Sequence, residues 1–262
     1  MSLLDLVLIA LARGVAEIIP IDAAGHVLLV SKLVGWRPGS IAVAIDIGAV
    51  TALGCFLWRY LSSIGVGLWR LRKGRVEPGA RLLGKILLAA APWVAVQAGF
   101  GPLDGIGLDM LLPVGVITII SAIVMLFADR LCMTVKRVEH MGPVGALVLG
   151  LSQLLGFIPG VGRMAATVVM GRLLGLERPS AFRFILLASV PVLLTNIVQE
   201  LGQYTAQGIG PTVVDGVGAL VTFILTLLAA ALATKWLERS GLTPFVIYRL
   251  LVGAAMIALA LV

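Results

Sequence analysis

Six apolar stretches, at about 40–58, 82–100, 111–128, 181–200, 213–234 and 244–262, each come close to the ~20 residues a helix needs to cross ~30 Å of hydrocarbon. A soluble core has no use for so many runs of that length. The composition agrees: 60% of the 262 residues are hydrophobic, 13% are charged and the mean hydropathy is +1.10, outside the range of soluble domains. The sequence predicts an all-α polytopic membrane protein, a single integral membrane domain over 1–262. The net charge of +7 does not point to nucleic acid, because most Lys and Arg fall between apolar stretches, where they act as orientation signals. Cys55 and Cys132 lie in or at the edge of apolar sequence and read as small core residues without a disulfide. The first residues, Met1 to Asp5, lack the basic start and cleavage site of a signal peptide.

Two further apolar regions, 3–35 and 144–175, are interrupted midway by Pro, Gly and a charged residue (Pro20 to His26, Pro159 to Arg163). Neither half of either region is long enough to cross a membrane. Backbone outside a helix leaves N–H and C=O groups unpaired, at several kcal/mol each in lipid, so the breaks must face protein or water. Two re-entrant helical hairpins satisfy this requirement. In the second, the exposed amides of Pro159-Gly160-Val161-Gly162, a following helix N-terminus and the Arg163 guanidinium together suit phosphate oxygens. The alternative is a kinked helix with a snorkelling Arg163.

Charge sets an orientation. The segment Arg59 to Lys85 holds Arg59, Arg70, Arg72, Lys73, Arg75, Arg81 and Lys85, whereas Gly101–Met110 and Gly202–Thr212 hold no Lys or Arg. The basic loop is expected in the cytoplasm, and alternation then puts Asp129–Gly142, Arg172–Arg183 and Lys235–Gly241 on the same side. A hairpin plus three spans is an odd number of crossings, so a second copy must be inverted. Gly14-Val-Ala-Glu17-Ile-Ile does match Gly150-Leu-Ser-Gln153-Leu-Leu, Gly25-His26 matches Gly162-Arg163, and Lys32-Leu-Val-Gly35 matches Arg172-Leu-Leu-Gly175. Repeats of about 1–130 and 142–262, with their two hairpin tips meeting, are the expected arrangement.

The ionisable groups at membrane depth are Arg13, Glu17, Asp22, His26, Asp46 and Arg163, each costing ~2.5 kcal/mol or more if it faced lipid. They are expected to share a cavity. Helical spacing allows Arg13 to pair with Glu17. Asp22 and His26, also four apart, straddle an Ala-Ala-Gly turn, a spacing that allows the carboxylate to orient the imidazole for acid/base work. Asp46 is available as a polar contact for either tip. Each group also has a purely structural reading, as a neutralised ion pair or a satisfied histidine.

At these residues the chain resembles the undecaprenyl-pyrophosphate phosphatase family, the bacitracin-resistance type of integral membrane phosphatase. The likeness rests on Glu17-Ile-Ile-Pro20-Ile-Asp22-Ala23-Ala24-Gly25-His26, on Pro159-Gly160-Val161-Gly162-Arg163-Met164-Ala165-Ala166-Thr167, and on the segments Phe182 to Pro191 and Thr243 to Arg249. The resemblance implies six transmembrane helices plus two re-entrant hairpins in inverted repeats. It implies removal of the terminal phosphate of a C55 polyprenyl diphosphate at a site open to the periplasm of the inner membrane, which recycles the lipid carrier for cell-wall synthesis. Carried over by position, Glu17 and His26 take acid/base roles. Arg163 clamps the diphosphate, helped by Thr167. The residues themselves, apart from the resemblance, add the turn amides at Gly160, Gly162 and Gly25 and Arg13 as an extra cation to the candidate diphosphate-binding set. Mg²⁺ or Ca²⁺ bridging the diphosphate is implied by the same analogy, with no organic cofactor, and a homodimer is allowed.

The chain departs from the family pattern where chemistry is expected. Arg13 stands where the first of two acids belongs, Ala23 where the family carries a serine, and Gly162 and Met164 replace serines flanking the arginine. Water or Asp22 is then left to attack phosphorus. The competing expectation is a degenerate relative that binds or flips polyprenyl phosphates, or transports an anion, without hydrolysis.

Overall fold

The computed structural model describes residues 2–35, 40–100, 110–132, 136–208 and 210–261. Among these, the structure is all helical apart from turns and one isolated bridge between Lys136 and Leu176. The helices are α1 Leu3–Ile9, α2 Ala23–Val34, α3 Ser40–Phe56, α4 Trp58–Leu71, α5 Pro78–Phe100, α6 Leu111–Leu131, α7 Pro143–Gln153, α8 Arg163–Leu173, α9 Arg178–Ala206, α10 Val213–Arg239 and α11 Thr243–Leu261. Five of them, α5, α6, α9, α10 and α11, are long and apolar enough to cross a membrane, and the bent pair α3–α4 is a sixth candidate.

Local chemistry sets several boundaries. Ser2 with Asp5, and Thr212 with Asp215, form capping boxes that start α1 and α10. Pro143 opens α7, where its missing N–H costs nothing. Gly35 closes α2 at φ +66°. The expected basic loop after position 58 differs from expectation: α4 continues the chain as a helix bent 76° from α3. It buries Ile64 and Gly67 on one face and exposes Trp58, Trp69 and the adjoining Arg59 and Arg70, so the start of the basic segment is an amphipathic helix.

The longest helices approach through small residues, as membrane helices do where lipid and side chains are equally apolar. A Cβ on Gly48 of α3 would lie 2.3 Å from the Ala219 carbonyl oxygen of α10, and one on Gly115 of α6 would lie 2.8 Å from the Gly253 carbonyl of α11. The most extensive packing is α3 on α10 and α6 on α11. The two interrupted regions are broken helices. α1 runs into a π-helical turn, Ala10–Val15, and then into non-helical backbone before α2. α7 runs into a 3₁₀ turn, Leu154–Phe157, and a glycine turn before α8.

Candidate active site

The two breaks touch. Gly162 caps α8 at φ +78°, and a Cβ there would lie 2.3 Å from the Ile21 carbonyl oxygen. Only glycine fits both the left-handed backbone and that approach. Gly160, at φ +94°, donates its N–H to Asp22 Oδ2 at 2.6 Å, and Gly25 donates to the same oxygen at 2.7 Å. Asp22 is thus the N-cap of α2, and its carboxylate joins the two tips. It is 2% exposed.

Arg163, the first residue of α8, is 3% exposed and fully engaged within the protein. Its Nε donates to Glu17 Oε1 at 2.7 Å, and Nη1 donates to Gln153 Oε1 at 2.9 Å and Ser189 Oγ at 3.1 Å. Its Cζ lies 5.6 Å from the centre of the Trp93 ring, which stacks on Phe157. The Thr167 hydroxyl donates back to the Arg163 carbonyl at 2.7 Å. Glu17 keeps 19% of its side chain exposed, so it is the open member of this cluster.

Two pairings expected from spacing do not form. Arg13 does not meet Glu17; it donates through Nε and Nη2 to both oxygens of Asp46, at 3.1 and 3.0 Å, and through Nη2 to Glu200. The Glu17 N–H still bonds the Arg13 carbonyl at 3.3 Å, so the two positions remain one turn apart, but acids and cations from other elements take both side chains: Asp46 and Glu200 hold Arg13, and Glu17 turns to Arg163 of the other break. Nor does the Asp22 carboxylate orient His26. The His26 Nδ1 contacts the Asp22 backbone carbonyl, and its Nε2 lies 2.8 Å from the Tyr248 hydroxyl, with the two rings stacked. The physical reason is that Ala23 to His26 form the first turn of α2 instead of a loop, which commits the Asp22 carboxylate to capping.

Several residues that single-residue reading passed over belong here: Gln153, Ser189, Trp93, Glu200, Tyr248 and Arg249. Arg249 had a signal, since an arginine within the last apolar run is costly unless it faces a polar partner. Its Nη2 donates to the Gly160 and Val161 carbonyls at 2.8 and 2.9 Å and to Ser121 Oγ. At the opposite end of α8, Asp129 gathers Arg172 at 3.1 Å, Arg178 at 2.6 Å and the Leu242 N–H at 2.9 Å, a tie between α6, α8, α9 and the start of α11. A cavity of about 530 Å³ lies at the α10–α11 corner beside Trp236, Thr243, Ile247, Tyr248 and Leu251, and meets the site through Tyr248.

A divalent cation needs converging carboxylates or imidazoles. Here the acids converge on arginines: Glu17 on Arg163, and Asp46 and Glu200 on Arg13. Among the described residues no three of His, Cys, Asp and Glu come together as a metal site. The donor set present does not fit a resident Mg²⁺ or Ca²⁺.

Fold and site define a polytopic helical membrane protein in which two broken helices meet over a buried arginine–glutamate pair. The chain belongs to the bacitracin resistance protein BacA family, whose pattern it matches over residues 6–255. It is 36% identical to undecaprenyl-diphosphatase 1 of Rhodospirillum rubrum, covering 99% of this chain and 96% of that one. It is 34% identical to undecaprenyl-diphosphatase 1 of Paramagnetospirillum magneticum (99% and 98% covered) and 32% identical to the undecaprenyl-diphosphatase of a Jannaschia species (99% of each).

Proposed function

We propose that this protein hydrolyses undecaprenyl diphosphate to the monophosphate and inorganic phosphate, returning the lipid carrier to cell-wall synthesis. The observation that carries this reading is the full-length match to relatives of that name, joined to two touching breaks that carry the Glu17–Arg163 pair on one side and Asp22, His26 and Arg249 on the other. Water is the nucleophile. Ala23 offers no hydroxyl, and the Asp22 carboxylate is held by two backbone N–H groups and buried. Glu17, held by Arg163, accepts the proton of the attacking water as its oxygen bonds to the terminal phosphorus. The bridging P–O bond breaks, and its electron pair leaves with the polyprenyl phosphate. His26 supplies a proton to that leaving oxygen by way of the Tyr248 hydroxyl, which its Nε2 faces at 2.8 Å. Arginines meet the charge of the diphosphate, and any Mg²⁺ or Ca²⁺ arrives with the lipid.

The same reading includes six spans, α3, α5, α6, α9, α10 and α11, with α1–α2 and α7–α8 as re-entrant hairpins, in a single domain of two inverted repeats. Packing supports it. Exchanging α3 with α9, α5 with α10 and α6 with α11 carries the α3–α10 contact into α9–α5, and the α5–α7 contact into that of α10 with the first broken helix. Basic segments in the cytoplasm follow from the charge distribution, and access from the periplasm of the inner membrane follows from the likeness to the phosphatase family. The test is phosphate release from C55 diphosphate by purified protein in detergent, with Glu17→Ala as control. Release that is absent in both, with lipid binding retained, would move the assignment to a binding or flipping role.

A further inference from the structure

Arg249 is 0% exposed, yet its Nε and Nη1 have no hydrogen-bond partner. Among the described residues no carboxylate lies within ion-pair distance, 4.0 Å, of it. Nη2 alone is used, tying down the Gly160 and Val161 carbonyls and Ser121. A guanidinium has five N–H groups, and the three on Nε and Nη1 are left without acceptors in a buried place. Such an arrangement is costly unless something fills it. Across the same glycine turn, Asp22 Oδ1 is likewise buried and without a donor, and Arg249 is close enough to interact electrostatically with both Asp22 and His26. Donors from a fixed cation and one orphan acceptor complement a phosphate group, which presents several acceptor oxygens and, when partly protonated, one O–H. Arg163 offers no such opening, because its Nε, Nη1 and Nη2 all donate within the protein.

We propose that Arg249, through its free Nε and Nη1, is the residue that binds an oxyanion of the diphosphate, while Arg163 serves to position Glu17. This deepens the phosphatase reading and rests on it for the identity of the ligand. This phosphate-facing fork comes from the last helix, and its Nη2 holds the glycine turn that carries Gly160.

Inorganic pyrophosphate is the probe, because its binding needs no turnover. Titrated into purified protein in detergent and followed by ³¹P NMR, it is expected to bind wild type, and Arg249→Gln is expected to weaken binding tenfold or more. Since the substitution also removes ties to the turn, wild-type protein labelled with ¹⁵N-arginine supplies the second measurement. The Nε–H resonance lost in Arg249→Lys is expected to shift on adding pyrophosphate, and the resonance lost in Arg163→Lys to shift less. An unmoved Arg249 resonance, or unchanged affinity in a folded Arg249→Gln, overturns the proposal and leaves Arg249 a structural tie. Pyrophosphate binding through Arg249 without phosphate release from C55 diphosphate would instead sink the phosphatase reading and keep the anion site.

Discussion

The Nε of Arg163 lies 2.7 Å from Oε1 of Glu17, 146 residues away, so the cation of one broken helix is neutralised by the acid of the other. Substrate binding and proton transfer are thereby separated. Glu17→Gln is expected to lower turnover by about 10²–10⁴, the usual contribution of a general base. The affinity for lipid diphosphate should hold or rise, because the Arg163 charge is no longer cancelled. Steady-state kinetics with a binding isotherm measures both. Parallel loss of affinity and turnover would mean that Glu17 contacts the lipid headgroup directly.

Arg13 sits between Asp46 and Glu200, so restoring an acid at this position is not benign. Arg13→Glu brings three carboxylates together and should cost about 3–5 kcal/mol, the scale for breaking a partly buried pair. In a double-mutant cycle, Arg13→Ala and Asp46→Ala should couple by about 0.5–3 kcal/mol. Thermal unfolding in detergent reads both. Additive losses would remove the pair from the stability of the first broken helix.

Gly162→Ala combines a left-handed backbone with a clash against the Ile21 carbonyl. A cost of about 1–3 kcal/mol is expected, together with loss of activity as the two tips separate. Gly84 in α5, where an added Cβ would have open space for 4 Å around it, is the control: Gly84→Ala should be neutral or stabilising by about 0.5–1 kcal/mol. Equal effects at the two positions would show that contact between the tips does not matter.

With Arg249 meeting the diphosphate, chelation by EDTA should leave more than about a tenth of the activity, roughly a 1.4 kcal/mol limit on what the metal contributes. Assays of phosphate release across EDTA and Mg²⁺ concentrations decide this. Abolition by EDTA and full recovery with Mg²⁺ would place the cation at the centre of the reaction.

Reporter fusions at Lys73, after α4, and at Lys136, before α7, should both read cytoplasmic, because positive charge is retained on that side. A third position, Asp104, lies outside the described residues and is expected to read periplasmic. A periplasmic signal at Lys73 would reverse the orientation and the side from which substrate enters.

The class of fold was legible along the chain, because helices in lipid must be long, apolar and internally hydrogen-bonded, and that requirement is written in local runs. The sequence also marked the two breaks, since Pro20 and Pro159-Gly160 interrupt the apolar runs that precede them. Partner choice was decided only by the tertiary structure. Helical spacing linked Arg13 to Glu17 and Asp22 to His26, but Arg13 and Glu17 each meet a partner from another element and the Asp22 carboxylate is used as a cap. The ion pairs that form, Arg163 with Glu17 and Arg13 with Asp46 and Glu200, join residues far apart in the chain. Charge interactions strengthen in a low-dielectric interior and depend on distance in space. Periodicity along the chain carries no information about which acid a folded arginine will meet.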